Sequence, residues 1–120
     1  MGSGDFSASD WAHPEIEYVI VDGATARRWT GLRGMARGWR EFLAEWEDWR
    51  AQTTDCRELD RERVLALVKL CGRNRASGLD VAQLGSGEGA NLLHLRDGKV
   101  TRFVHYLDRE RALEDLGLTP

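Results

Sequence analysis

A chain of 120 residues is long enough for one hydrophobic core and too short for two. Its 42% hydrophobic and 31% charged residues are typical of a globular domain and exclude a disordered chain. The formal net charge of −3 argues against nucleic acid as the main partner, because a phosphate-binding face needs an excess of Lys and Arg.

The sequence contains no apolar run long enough to span a membrane and no signal-peptide pattern, which predicts a cytoplasmic protein without a membrane partner. Residues 1–3 are interpreted as a tag or start remnant, and residues 4–118 as a single domain. Cys56 and Cys71 lie outside any zinc-type spacing, and the three histidines also lack the local spacing of a metal site, so no metal is predicted. No other cofactor is expected. Both thiols are predicted to be buried and unpaired on neighbouring strands.

The first half of the chain predicts a strand, a loop and one long helix. β-Branched and aromatic residues indicate a strand over residues 16–21, followed by a loop over residues 24–31. Large apolar residues at steps of three and four then predict a helix over residues 34–50. This apolar stripe consists of Met35, Trp39, Phe42, Leu43, Trp46 and Trp49. It is interpreted as core packing, in which Trp39 and Trp46 could also form an aromatic wall of a ligand cavity.

The second half of the chain predicts a meander of strands. Strands are expected over residues 53–59, 63–71, 79–84, 90–95 and 99–107, the last two joined by a tight turn at Asp97 and Gly98. Asp108 is the expected N-cap of a short final helix that stops at Gly117. One helix followed by successive strands predicts an α+β fold, with a curved antiparallel sheet of about five to six strands packed on that helix.

Six segments resemble, in order, proteins of the SnoaL-like branch of the nuclear transport factor 2-like (NTF2-like) superfamily. They are His-Pro-Glu-Ile-Glu-Tyr at residues 13–18, Trp-Thr-Gly-Leu-Arg-Gly at 29–34, Gly-Trp-Arg-Glu-Phe-Leu at 38–43, Arg-Val-Leu at 63–65, Arg-Asp-Gly-Lys-Val at 96–100 and Tyr-Leu-Asp-Arg at 106–109. The resemblance implies a cone-shaped α+β domain around an apolar pocket. Relatives usually begin with a helix across the cone mouth, of which only residues 4–7 remain here. A homodimer, possibly with exchanged elements, is therefore expected to close the mouth.

The same resemblance implies two functions without choosing between them, because a fold does not determine a reaction. The relatives include polyketide cyclases, limonene-epoxide-hydrolase-like enzymes and ketosteroid isomerases. The first hypothesis is a cofactor-free isomerase, cyclase or hydrolase acting on a small apolar oxygenated metabolite. The alternative is a non-catalytic ligand-binding or dimerisation module.

Two residues are candidates for acid–base chemistry. Alternation along the last strand places His105 on the inward face with Phe103. His105 stands where the epoxide-hydrolase-like relatives carry a catalytic Asp, and an imidazole there could act as a general base. An acid at about the position of Asp108 is implied as an acid/base by the polyketide cyclase-like relatives, but capping of the final helix is the plainer interpretation of Asp108.

Other residues are candidates for lining the pocket. Tyr18 falls about where the ketosteroid isomerases carry their base, but a phenol is a poor base at neutral pH, so an orienting role is expected. Gln83 and Asn91 are polar residues on otherwise apolar strand faces, where a side chain must bond a partner or a ligand. Trp11 and His13 are expected at the entrance, and His94 on the outer face of the sheet.

Overall fold

The computed structural model describes residues 10–22, 25–84 and 86–118. The residue 1–3 remnant and the residue 4–7 segment of the sequence analysis lie outside these ranges. The described elements are β1 (Ala12–Asp22), β2 (Thr25–Thr30), α1 (Gly31–Ala44), β3 (Trp46–Asp60), β4 (Arg63–Asn74), α2 (Val81–Leu84), β5 (Glu88–Arg96), β6 (Lys99–Tyr106) and α3 (Arg109–Leu116). None of the described helices is long and apolar enough to cross a membrane.

The strands form one six-stranded sheet in the order β2-β1-β6-β5-β4-β3. This arrangement confirms the predicted α+β class and the strand number. The prediction of a purely antiparallel sheet is wrong, because β1 lies parallel to β6. These two strands come from opposite ends of the chain, so no hairpin turn forces them to be antiparallel.

The predicted helix over residues 34–50 is wrong at both ends. The structure has α1 at Gly31–Ala44, and the two tryptophans of the expected last turn, Trp46 and Trp49, lie on β3. A bulge lies between Glu47 and Arg50, and Asp48 within it has a positive φ of 54°. Because a bulge interrupts strand alternation, both tryptophans face the core and imitate a helical spacing.

Two further elements differ from the prediction. The expected loop over residues 24–31 contains β2, whose residues pair with β1 from Thr25 to Thr30. β2 is an edge strand with exposed or half-buried side chains over residues 26–30, so it lacks an apolar pattern. The expected strand over residues 79–84 is replaced by a single bridge at Asp80 and the helical turn α2.

Both faces of the sheet are covered by apolar side chains. The inner core joins the sheet to α1 and includes Ile16, Tyr18 and Phe42. The outer core lies against α3 and includes Leu65 and Val104. The predicted alternation along β6 is therefore confirmed, and the inward face is the one that meets α1.

Local chemistry at the chain's turns follows the prediction. Asp97 and Gly98 have φ angles of 52° and 79°, as a tight hairpin turn requires. The Asp108 carboxylate accepts a hydrogen bond from the Glu110 N–H and caps α3, and Gly117 ends that helix with φ 69°. These features join β5, β6 and α3 without long connections.

The two cysteines are unpaired, as predicted, but they are not buried. Cys56 is exposed and Cys71 is intermediate. The exposure of Cys56 follows from its position on β3, an edge strand of the sheet whose side chains are exposed along most of its length. Cys71 lies on the neighbouring strand β4. Cys56 lies opposite Ala66 in the β3–β4 ladder.

Gly89 lies where β5 packs closely between β4 and β6, and a substitution at this position tests that packing. A Cβ at Gly89 would lie 2.6 Å from the Tyr106 carbonyl oxygen and 2.8 Å from Leu70 Cδ1. Gly89→Ala is expected to lower the free energy of unfolding by about 1–3 kcal/mol in urea denaturation, because the backbone must shift. Gly34→Ala is the control: its Cβ would meet Trp29 at 3.4 Å, and helix propensity predicts a gain of about 0.5–1 kcal/mol. A neutral Gly89→Ala would contradict the packing described.

Candidate functional site

A cavity of about 270 Å³ lies on the inner side of the sheet, bordered by α1. Its walls come from Trp11, which precedes β1, from β1 itself, from α1 and from strands β3, β5 and β6. The lining residues are Trp11, Tyr18, Met35, Trp39, Ala51, Asn91, Phe103 and His105. Among these described lining residues none carries a formal charge at neutral pH, so the cavity is predominantly apolar.

Aromatic side chains in mutual contact form one wall of the cavity. Tyr18 and Phe103 meet edge to face, with their ring centroids 5.5 Å apart. The Trp11 ring lies 6.3 Å from Phe103, and the Trp29 ring lies 5.8 Å from Tyr18 on the side of β2. Because these rings pack on one another, the wall is held in place before any ligand enters.

His105 lies on β6 and lines the cavity. Its polar side chain is buried, with 4% of the residue's surface exposed. The rings of Phe42, Trp49 and Trp39 surround it at centroid distances of 5.4, 6.2 and 6.4 Å. Burial away from water lowers the pKa of His105 to about 4, so the imidazole is neutral at pH 7.

Asn91 of β5 lies directly opposite His105 of β6 in the antiparallel ladder. Both side chains line the cavity. Asn91 Oδ1 and His105 Nε2 are both buried, and neither has a hydrogen-bond partner within the described residues. A buried polar atom without a partner costs about 1–3 kcal/mol, so such atoms are rare in folded proteins unless something else bonds to them. This Asn91–His105 pair is the polar centre of an otherwise apolar cavity.

Tyr18 lines the same cavity from β1. Burial raises the pKa of its hydroxyl above the usual value for a phenol, and the nearby Arg27 lowers it by a smaller amount. The Tyr18 side chain therefore stays protonated at neutral pH. It can donate or accept a hydrogen bond, but it cannot serve as a base.

Several predicted site residues lie away from the cavity. Asp108 caps α3, so the plainer of its two interpretations holds in the structure. Gln83 is exposed on α2, where its Oε1 accepts a hydrogen bond from the Asp80 N–H at 2.9 Å; its predicted place on an inward strand face is wrong because that strand is absent. His13 is half-buried, and its Nδ1 accepts a hydrogen bond from the Glu15 N–H at 3.0 Å.

Trp46 is buried in the inner core without lining the cavity. Its ring packs 5.0 Å from Trp49 and 6.0 Å from Phe42. Two lining residues were not predicted as site residues, Met35 and Ala51. Met35 belongs to the apolar stripe of α1 and could have been found there, whereas Ala51 carries no signal in the sequence.

The remaining histidine, His94, lies on the outer face, as predicted. Its cross-strand neighbours are Arg63 and Arg102. Burial and the charges of Arg102 and Arg63 lower the pKa of His94. Within the ranges the structure describes, no three His, Cys, Asp or Glu side chains are grouped closely enough to hold a metal ion.

The chain matches no protein-family model and no curated protein. It is similar in structure to a hypothetical protein with a ketosteroid isomerase-like fold from Catenulispora acidiphila, solved in complex with trimethylamine, at a TM-score of 0.69 and 17% identity over 98% of this chain and 85% of that one. It is also similar to an NTF2-like protein from Burkholderia thailandensis, at a TM-score of 0.63 and 18% identity over 78% and 70% of the two chains.

A third similar structure is a proposed SnoaL-like polyketide cyclase from Mesorhizobium loti, at a TM-score of 0.63 and 13% identity over 82% of this chain and 80% of that one. At such low identities the similarity concerns the fold. The predicted resemblance to SnoaL-like and other NTF2-like proteins is confirmed at that level.

Proposed function

We propose that this protein binds a small, largely apolar molecule with one oxygen-containing group in a cone-shaped pocket formed by the inner face of the sheet. In this proposal Asn91 and His105 form hydrogen bonds with the oxygen-containing group, while the aromatic wall contacts the rest of the ligand. The observation that carries the proposal is that one apolar cavity is lined by two residues with buried polar atoms, Asn91 Oδ1 and His105 Nε2, that have no hydrogen-bond partner in the described part of the chain. Ligand pockets commonly combine apolar walls with a few such polar groups.

The cavity volume limits the size of the ligand. An apolar cavity of about 150 Å³ accommodates benzene. The volume of about 270 Å³ found here therefore suits a molecule of one or two rings. Contact with Trp11, Tyr18, Trp39 and Phe103 favours a flat ring, because aromatic rings pack well on one another.

The electrostatics of the cavity favour an uncharged polar group on the ligand. None of its described lining residues is a Lys, Arg, Asp or Glu that could neutralise an ion. The same desolvation that keeps His105 neutral would oppose burial of a carboxylate. A hydroxyl, enol or carbonyl oxygen can instead be hydrogen-bonded by a neutral imidazole and an amide.

Turnover by a cofactor-free isomerase, cyclase or hydrolase is the second proposal. The proposed cyclase activity of the Mesorhizobium loti protein favours it. Three features of this chain favour binding without turnover. His105, with a pKa of about 4, is a weak base at pH 7; Tyr18 stays protonated; and Asp108 is occupied as a helix cap. Homodimerisation over the cavity mouth and a cytoplasmic location stay predictions.

The binding proposal is tested by calorimetric titration with three para-substituted toluenes: p-cresol and p-xylene, which are of one shape, and the larger p-toluate. p-Cresol has a hydroxyl where p-xylene has a methyl group, and p-toluate adds a negative charge. We expect p-cresol to bind about tenfold more tightly than p-xylene, which corresponds to about one net hydrogen bond, and p-toluate to bind most weakly. Equal affinities for p-cresol and p-xylene would contradict the role of the polar pair.

Asn91→Leu separates a ligand-binding role of the amide from a structural one. This variant removes a side chain whose buried Oδ1 has no hydrogen-bond partner among the described residues, so the free energy of unfolding is expected to rise by about 1 kcal/mol. Its affinity for p-cresol is expected to fall about tenfold, with p-xylene unaffected. Gln83→Leu, which changes an exposed amide outside the cavity, is the control and should leave both affinities unchanged. Loss of stability in Asn91→Leu would contradict the assignment.

A further inference from the structure

Three arginines form a stripe along the exposed side of α1. Arg33, Arg37 and Arg40 are all exposed, and their spacing of four and three residues places them on one face of the helix. They border a shallow surface groove of about 470 Å³. The lining of this groove also includes Thr30, Gly34 and Ala36. We call the three arginines the arginine stripe.

The arginine stripe is a feature of the fold rather than of the local sequence. Along the chain these arginines are followed by Glu41, Glu45, Glu47 and Asp48, which would give a mixed surface on one long helix. In the structure α1 ends at Ala44, so Glu47 and Asp48 lie on β3. Glu45 is also engaged elsewhere, because both of its carboxylate oxygens accept hydrogen bonds from Arg27, at 2.8 and 3.2 Å. The stripe therefore keeps an excess of positive charge.

Little within the described chain neutralises this charge. Arg37 approaches Glu41 at 3.8 Å, with both side chains more than half exposed, and such pairs contribute little to stability. Within the described ranges neither Arg33 nor Arg40 takes part in an ion pair. The stripe thus contains more arginines than the acidic side chains of α1 pair with.

The direction of the helix adds to the positive potential. The N-terminal end of an α-helix carries a partial positive charge, and acidic residues are usually favourable there. The first turn of α1 contains no acidic residue, and the side chain of Thr30 does not cap the helix. Arg33 instead places a cation in that turn. An external carboxylate at this end of the stripe would interact favourably with both the helix dipole and Arg33.

We propose that the arginine stripe is a docking surface for an acidic, extended segment of a partner protein. A four-residue step along a helix advances about 6 Å, close to the 6.6–6.8 Å between alternate residues of an extended chain. Carboxylates at alternate positions of an extended segment can therefore meet Arg33 and Arg37 in turn. The small residues in the lining of the groove leave room for the partner's backbone, and guanidinium groups bind carboxylates with two parallel hydrogen bonds.

Nucleic acid fits this surface less well than an acidic peptide. The protein has a net charge of −3, and Glu41 flanks the stripe. Tight binding of a phosphate backbone requires many cationic contacts along an extended path. The stripe spans only about two turns of helix, which suits a short segment with a few carboxylates.

The proposal is tested by fluorescence anisotropy at low ionic strength with a labelled peptide of alternating Glu and Ser. An otherwise identical peptide with Gln in place of Glu and a labelled single-stranded oligothymidylate serve as comparison probes. The test variant is Arg33→Gln/Arg37→Gln/Arg40→Gln. The matched control, Arg61→Gln/Arg73→Gln/Arg96→Gln, removes the same charge from exposed arginines elsewhere on the protein.

We expect the wild type to bind the Glu peptide and not the Gln peptide, with an affinity that falls as salt is added. Each exposed ion pair contributes about twofold to threefold, so the stripe variant should lose about tenfold in affinity and the control less than about twofold. Equal losses in both variants would show a non-specific charge effect and overturn the proposal. So would the absence of Glu-peptide binding, or tighter binding of the oligothymidylate. Circular dichroism of both variants establishes that they are folded.

Discussion

Phe42→Ala is expected to lower the free energy of unfolding by about 3–5 kcal/mol. Phe42 is fully buried on α1. Its ring is stacked on Trp39 at 5.8 Å and meets the edge of Trp49 at 4.8 Å. It also lies 5.4 Å from His105, so it joins the helix to the strand that carries the polar pair. Removing the ring would leave a cavity that these rigid neighbours cannot fill.

Urea denaturation followed by tryptophan fluorescence measures this effect. Leu43→Ala is the matched control, because Leu43 is the next residue on the same helix and only partly buried. Its expected loss is about 1–2 kcal/mol, since less apolar surface returns to water on unfolding. If the two variants lost the same stability, Phe42 would not be the central contact of the inner core.

Acidification is expected to destabilise the protein by about 3 kcal/mol through His105 alone. The pKa of His105 is about 4 in the folded state, and that of an unfolded histidine is about 6.5. Between these two values the unfolded chain binds a proton that the folded chain does not. The contribution of neutral His105 to the free energy of unfolding is therefore fully present above about pH 6.5 and is lost as the pH falls toward 4.

The measurement compares the free energy of unfolding at pH 7 and pH 4.5 for the wild type and two variants. His105→Gln cannot titrate and should lose about 2–3 kcal/mol less than the wild type over this range. His94→Gln is the control, because burial also lowers the pKa of His94 but the residue is only half-buried, so its effect should be smaller. Identical pH profiles for the wild type and His105→Gln would show that His105 is not buried as described.

The features that could be predicted from the sequence are those determined by local chemistry. Asp97 and Gly98 specify a tight turn whatever surrounds them, and Asp108 followed by a helical segment specifies a cap. Alternation along β6 was sufficient to place His105 on the inner face. Each of these depends on residues within a few positions of one another.

The features that could not be predicted depend on bulges and on distant partners. The bulge at Asp48 places Trp46 and Trp49 at a helical spacing within a strand, so periodicity alone extends α1 too far. Gln83 has an apolar neighbourhood in sequence, but no neighbouring strand pairs with it. β2 is defined by its pairing with β1 rather than by its own composition.

The Asn91–His105 pair shows the same limit at the candidate site. A regular hairpin around Asp97 and Gly98 would place Asn91 opposite Val104, on the other face from His105. The register shift between His94 and Leu95 instead brings Asn91 opposite His105. The polar pair therefore depends on one bulge, and no residue in the sequence predicts that bulge. Bulges are often found beside functional sites.

The most direct test of the binding proposal is a crystal structure of the protein soaked with p-cresol. We expect the ring to lie against Tyr18 and Phe103, with the hydroxyl oxygen within about 3 Å of both the Asn91 amide and the His105 imidazole. A structure in which p-cresol binds elsewhere, or in which Asn91 and His105 bond to each other across a closed cavity, would contradict it.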